Sequence, residues 1–221
     1  MIKAIIFDLD GTIADTIDDI ADGVNSMLRE YGFPALTREQ ALANINNGAF
    51  QLIRRSLPEK YREDESFVRE CLTVYESYYE KCYDNRTYPY DGIVDTLSKI
   101  SKHVPIAVLS NKQDLFVKNI VKKLFPNNIF TEVLGQGKFP PKPDPSAILY
   151  VCERLGVKPE ECALVGDSNV DMVTAKNSGV HAVGVTWGYR SRKMLIEHGA
   201  ELLIDEPSEL VRLVNYNFDA R

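Results

Sequence analysis

Five short apolar runs punctuate the chain, at Lys3–Phe7, Val104–Leu109, Phe130–Leu134, Cys162–Val165 and Ala182–Val185. Within each run the apolar character is nearly continuous rather than alternating. That texture predicts strands buried on both faces of a parallel sheet, since a half-exposed strand alternates with period two. Pro105 is tolerable because it lies at the start of its run, where a missing ladder donor costs least. Between runs the period becomes helical, at Leu115–Leu124, Pro145–Leu155 and Val170–Ser178. Strand and helix alternating in this way predict right-handed βαβ units, and hence an α/β fold with a doubly wound parallel sheet.

Between residues 15 and 88 the alternation breaks. Ile17, Ile20, Val24, Leu28 and Tyr31 recur at helical spacing until Gly32-Phe33-Pro34 ends the helix. Thr37-Arg38-Glu39-Gln40 reads as a capping box opening a second helix. Phe67, Cys71, Val74, Tyr75, Tyr78 and Cys82 form a third apolar stripe, and no strand is predicted here. The expectation is an all-helical domain at 15–88 inserted into a main domain of residues 1–14 and 89–221. Tyr88-Pro89-Tyr90-Asp91-Gly92 marks the return.

Composition narrows the picture. The 221 residues are 44% hydrophobic and 26% charged, which supplies a core and excludes disordered and collagen-like readings. A net charge of −6 argues against a nucleic-acid-coating protein. Cys71, Cys82, Cys152 and Cys162 show no C-x-x-C spacing, and three His complete no zinc pattern. Scattered Cys of this kind predict reduced thiols in a cytoplasmic protein. Ile2–Phe7 is too brief for a leader's apolar region, and no run approaches the ~20 residues of a membrane span.

Candidate chemistry lies where strands end. Asp8-Leu9-Asp10-Gly11-Thr12 follows the first run, and residues i and i+2 of an extended chain face one side, so both carboxylates can serve one site. Val108-Leu109-Ser110-Asn111-Lys112 ends another strand; at a helix start its hydroxyl and N–H groups could hold a phosphate or simply cap the helix. Val165-Gly166-Asp167-Ser168-Asn169-Val170-Asp171 ends a third, with Asp167 and Asp171 readable as hard oxygen ligands or as capping acids. Lys142 sits in Pro140-Pro141-Lys142-Pro143-Asp144-Pro145, and alone would read as a solvated charge.

As an ordered set, D-x-D-G-T, a strand-end Ser, Lys, then G-D-x-x-x-D resembles the haloacid dehalogenase-like hydrolase superfamily over essentially the whole chain. The insertion resembles that superfamily's C1-type cap. Asn47-Gly48-Ala49 and Val185-Thr186-Trp187-Gly188-Tyr189 resemble its phosphoglycolate phosphatase-like members. The resemblance implies a Rossmann-like sheet of order 5-4-1-2-3, which would bring Asp8, Ser110 and Asp167 together near a topological switch point. It also implies a Mg²⁺-dependent phosphatase acting on small-molecule phosphate monoesters. Asp8 would be the nucleophile that becomes an aspartyl-phosphate, and Asp10 the general acid and base, protonated at the start because neighbouring negative charge favours it. Mg²⁺ would be held by Asp8, the Asp10 carbonyl and Asp167, and the phosphoryl group by Ser110, Asn111 and Lys142. Asp171 would bond Lys142 or a water on the metal.

Asn47, Gly48, Arg54 and Arg55 are further candidates, for the leaving group's anionic tail. No nucleic-acid or membrane partner is expected, and monomer and dimer stay equally open. A β-phosphoglucomutase-type isomerase and an inorganic pyrophosphatase would share all four motifs. A haloacid dehalogenase would lack Asp10.

Overall fold

The structure, a computed structural model, describes residues 1–218. The chain forms two compact units, Thr16–Tyr88 and the remainder, which joins Met1–Asp15 to the chain from Pro89 onward.

The larger unit carries a six-stranded parallel sheet of β1 (Ala4–Phe7), β2 (Ile106–Gln113), β3 (Glu132–Gln136), β4 (Cys162–Gly166), β5 (His181–Val185) and β6 (Leu202–Ile204). Their spatial order is β3-β2-β1-β4-β5-β6. The first five strands keep the expected arrangement, and β6 extends it at one edge. That strand was not foreseen, because three apolar residues between Glu201 and Asp205 are too short a run to read.

β1 is central, pairing Ile5 with Ile106 of β2 on one side and with Ala163 of β4 on the other. All four of its residues are fully buried, as a strand covered on both faces requires. Ala4 and Ile6 face one core layer, with Ile148 and Val151 on one helix and Met172 and Ala175 on another.

β2 corrects one expectation. The second run was to end at Leu109 with Ser110 and Asn111 opening a helix. Instead the strand continues to Gln113, and its register with β3 shifts between Leu109 and Gln113. Ser110, Asn111 and Lys112 therefore lie in an irregular strand end, and the helix starts only at Asp114.

The smaller unit is built from α1 (Ile17–Glu30), α2 (Arg38–Asn44), α3 (Gly48–Ser56) and α4 (Glu65–Tyr79). Thr37 caps α2 with the reciprocal Gln40 bonds of a capping box. In α4 the buried face is Val68, Cys71, Tyr75 and Tyr79, so the predicted stripe was centred one residue away and ran past the helix end at Cys82. Asp19 of α1 is fully buried, and its carboxylate accepts from the Arg86 N–H and the Thr87 hydroxyl, holding the unit's two chain ends together. Two-residue strands, Ala14–Asp15 and Tyr88–Pro89, occur at the exit and return, where none was expected.

The helices α5 (Ile93–Ile100), α6 (Asp114–Leu124), α7 (Ser146–Leu155), α8 (Asn169–Ser178) and α9 (Arg192–Glu197) complete the larger unit. Among the described residues no helix is long and apolar enough to cross a membrane.

Candidate active site

Asp8 is the first residue beyond β1, and Asp167 the first beyond β4. Adjacent parallel strands with matched register deliver both carboxylates to the same edge of the sheet, at its switch point. Asp171 joins them from the first turn of α8, and one oxygen from each of Asp8, Asp167 and Asp171 lies within 4.8 Å of the others.

Lys142 reaches this cluster from the loop before α7. Its Nζ donates to Asp8 Oδ1 at 2.8 Å, to Asp171 Oδ1 at 2.6 Å and to the Leu109 carbonyl at 3.1 Å. Only 3% of the side chain is exposed, so it is not the solvated charge its local sequence resembles. The loop is fixed by Asn111, whose amide donates to the Lys142 carbonyl at 2.9 Å and accepts from its N–H at 2.7 Å. The Asn111 side chain thus braces Lys142, a task the motif does not announce. Asp171 also accepts from the Ser168 N–H and hydroxyl through its other oxygen, so α8's capping box orients the residue that orients Lys142.

Asp167 is held just as firmly. Oδ1 accepts from the Thr12 hydroxyl at 3.3 Å and Oδ2 from the Tyr189 N–H at 2.7 Å. Trp187 Nε1 donates to the Thr12 carbonyl and the Tyr189 hydroxyl to Asp15, tying the 186–190 loop to the segment after Asp8. Gly11 has φ +83°, and a Cβ there or on Gly188 would overlap Asp167. Thr12, Trp187, Gly188 and Tyr189 are supports that sequence reasoning left without a role. Gly188→Ala should displace Asp167 and lower kcat/KM by about 10²-fold, with far-ultraviolet dichroism unchanged. Unchanged kinetics would show that the overlap relaxes harmlessly.

Asp10 departs from expectation in its surroundings. It accepts from Lys112 Nζ and, through Oδ2, from the Ser110 hydroxyl at 3.3 Å. Its close partner is thus a cation, whereas the expectation of a proton on Asp10 rested on neighbouring negative charge. Lys112 was absent from the candidates, although the i, i+2 alternation used for Asp8 and Asp10 puts it on the same face as Ser110.

In the smaller unit, Asn46 and Asn47 adopt positive φ ahead of Gly48, which opens α3. Arg55 donates to the Asn44 and Asn46 carbonyls and to Asn47 Oδ1, bracing that turn. Arg54 binds both oxygens of Glu63 and the Arg62 carbonyl. Both guanidinium groups are therefore engaged inside their own unit.

The electrostatics follow from burial. Desolvation raises the Asp8 carboxyl well above its usual value; Lys142 opposes the rise, and Asp171, Asp167 and Asp10 add to it. Desolvation and then Asp171 push Asp167 up to about 7. Burial alone would lower the Lys142 ammonium, but Asp171 and Asp8 hold it above its usual value. Three buried carboxylates facing one ammonium leave a surplus of negative charge, carried by oxygen donors alone. That donor set fits a hard divalent cation such as Mg²⁺.

Residues 5–185 match the family model described as haloacid dehalogenase-like hydrolase. The chain belongs to that family. Among relatives of this hydrolase, phosphoglycolate phosphatase 1 of Pseudomonas aeruginosa is 33% identical over 95% of this chain and 78% of its own. The phosphoglycolate phosphatase of Pseudomonas putida is 34% identical over 92% and 76%. Among solved structures, a predicted phosphoglycolate phosphatase from Haemophilus somnus superimposes with a TM-score of 0.87 at 27% identity, covering 96% of this hydrolase and 97% of that chain.

Proposed function

We propose that the chain hydrolyses small-molecule phosphate monoesters through an aspartyl-phosphate on Asp8, with phosphoglycolate as the preferred substrate. It is a phosphatase, a phosphoric monoester hydrolase of the haloacid dehalogenase-like family. The observation that carries the mechanism is the buried Asp8 carboxylate at the end of the central strand, held by Lys142 beside Asp167. The substrate follows from the designation of the relatives.

An Asp8 oxygen attacks phosphorus, the ester P–O bond breaks, and Asp10 gives a proton to the departing oxygen. Asp10, now a carboxylate, takes a proton from water as that water attacks the phosphorus of the aspartyl-phosphate. Inorganic phosphate leaves and Asp8 is regenerated. Lys142, the Ser110 hydroxyl and the Asn111 N–H hold the phosphoryl oxygens, and Asp171 keeps Lys142 extended toward them. Asp8, Asp167 and the Asp10 carbonyl would hold Mg²⁺, whose contribution is to offset the repulsion between an anionic nucleophile and an anionic phosphoryl group.

Stability should report the cation as clearly as turnover does. The Asp167 carboxyl is raised in the folded state, so its contribution is fully present below the unfolded value near 3.8 and is lost as pH rises toward 7. The loss is on the order of 4 kcal/mol at most, and Mg²⁺ binding to the ionised cluster should remove it. The melting temperature gained on adding Mg²⁺ to chelator-treated protein should therefore be larger at pH 8 than at pH 5, and hydrolysis should return with it. An equal gain at both pH values would remove the cation from this cluster.

The function is tested by kcat/KM across phosphoglycolate, other phosphate esters, β-glucose 1-phosphate and pyrophosphate. Phosphoglycolate should lead. Conversion of glucose 1-phosphate to glucose 6-phosphate, or preferred cleavage of pyrophosphate, would replace this reading.

A further inference from the structure

The end of β2 is built around a buried cation. The Lys112 side chain is 8% exposed, and its ammonium pairs with the Asp10 carboxylate, itself 17% exposed. Asp10 also accepts from the Ser110 hydroxyl at 3.3 Å through Oδ2, and Ser110 Oγ accepts from the Lys112 N–H at 3.1 Å. Lys112 thus acts on Asp10 twice, directly through its ammonium and through Ser110 by its backbone.

The irregular strand end that presents Lys112 is itself fixed. A Cβ on Gly135 of β3 would overlap the Lys112 carbonyl and the Asp114 backbone, so glycine is what lets the two chains approach there. The Gly135 N–H donates to Asp114 Oδ1 at 2.9 Å across the same contact.

Burying an ammonium beside a carboxylate is a poor source of stability, because desolvation takes back most of the attraction. What such a pair supplies is direction. A carboxyl group that accepts two bonds keeps capacity for a further contact, whether ionised or protonated. An acid–base group must meet the reacting oxygen at hydrogen-bond distance, and a misplacement of about 1 Å costs about 10²-fold in rate.

We propose that Lys112 is a positioning residue for proton transfer in this hydrolase. Its ammonium, together with Ser110, holds the Asp10 carboxyl in the orientation that serves the leaving oxygen. The inference rests on the acid–base role given to Asp10 above and adds what aims that side chain.

The test uses phosphate monoesters graded by the acidity of the departing alcohol, from p-nitrophenyl phosphate to alkyl esters. The value of kcat/KM covers the steps up to departure of the alcohol, so the later demand for a base does not enter. Each variant is read as a fold-change from wild type on the same ester, so differences in binding among esters cancel. Wild-type protein should show a shallow dependence on leaving-group acidity, because Asp10 supplies the proton a poor leaving oxygen requires. Lys112→Met should steepen it, lowering kcat/KM for alkyl esters by about 10²-fold more than for the aryl ester, the lower range for a lost general acid. Lys112→Arg keeps a cationic donor and should restore part of the shallow dependence. Should the Met variant not fold, Lys112→Gln, which is one atom shorter, gives the same readout.

Equal losses on aryl and alkyl esters would show a structural role alone, and no loss on either would show that Asp10 is aimed without Lys112. Both results overturn the inference and leave the phosphatase reading intact. A wild-type dependence as steep as that of Asp10→Asn would withdraw proton transfer by Asp10, and this inference with it. A wild-type enzyme that hydrolyses no ester would remove the phosphatase reading itself.

Discussion

Asp8→Asn should abolish phosphate release, with kcat falling by about 10⁶-fold as for other removed nucleophiles. The amide is isosteric and can still accept the Lys142 bond through its oxygen. It cannot displace an alkoxide from phosphorus and give a hydrolysable acyl phosphate. The same change removes a carboxylate whose ionised form burial disfavours. The chelator-treated variant should therefore melt no lower than the chelator-treated parent, and activity and stability should part company. A large fall in melting temperature would mean that the Asp8–Lys142 ion pair holds the fold, and lost turnover would then say little about chemistry. Residual turnover near the parent's would assign the nucleophile elsewhere.

Lys142→Met should be the second most damaging change, and here both quantities should fall. Lys142 is the cation between Asp8 and Asp171, with side-chain exposures of 3%, 12% and 1%. Removing it leaves two buried carboxylates facing each other. Breaking a buried pair in this way costs about 3–5 kcal/mol. Loss of a donor to the transferring phosphoryl group should lower kcat by a further factor of about 10²–10³. Mg²⁺ should recover part of the stability by neutralising the cluster, and little of the rate. Thermal melts with and without Mg²⁺, beside kcat at saturating substrate, separate the two effects. A variant as stable as the parent would show that Asp8 and Asp171 find other partners.

The two residues illustrate what a single sequence can and cannot carry. Asp8 was legible because its signal is local: a buried strand, then two carboxylates at i and i+2, then a glycine turn. Lys142 has no local signal, since a lysine among prolines resembles any surface loop. It became a candidate only through the order of the four motifs, and its burial comes from a 134-residue separation closed by the sheet. Asp167 was legible at a strand end, whereas the Tyr189 N–H that holds it was not, because a backbone donor has no residue type.

Lys112 was missed for a different reason. The run was read as ending at Leu109, but the strand continues irregularly to Gln113. Extending the alternation by two residues would have placed Lys112 beside Ser110. In the sequence Arg54 and Arg55 read as cations on a helix after Asn47-Gly48. Their partners, Glu63 and the carbonyls of a turn with positive φ, depend on loop geometry that periodicity does not encode.

The covalent step is the centre of the account, and acid quenching tests it most directly. Phosphoglycolate labelled in its phosphoryl group is mixed with excess enzyme and Mg²⁺, quenched within a turnover, and the protein is digested and mapped. The account predicts transient label on the peptide containing Asp8, stable in acid and released by hydroxylamine, and absent from Asp8→Asn. Full turnover with no protein-bound phosphate at any time, or label on another residue, would contradict it.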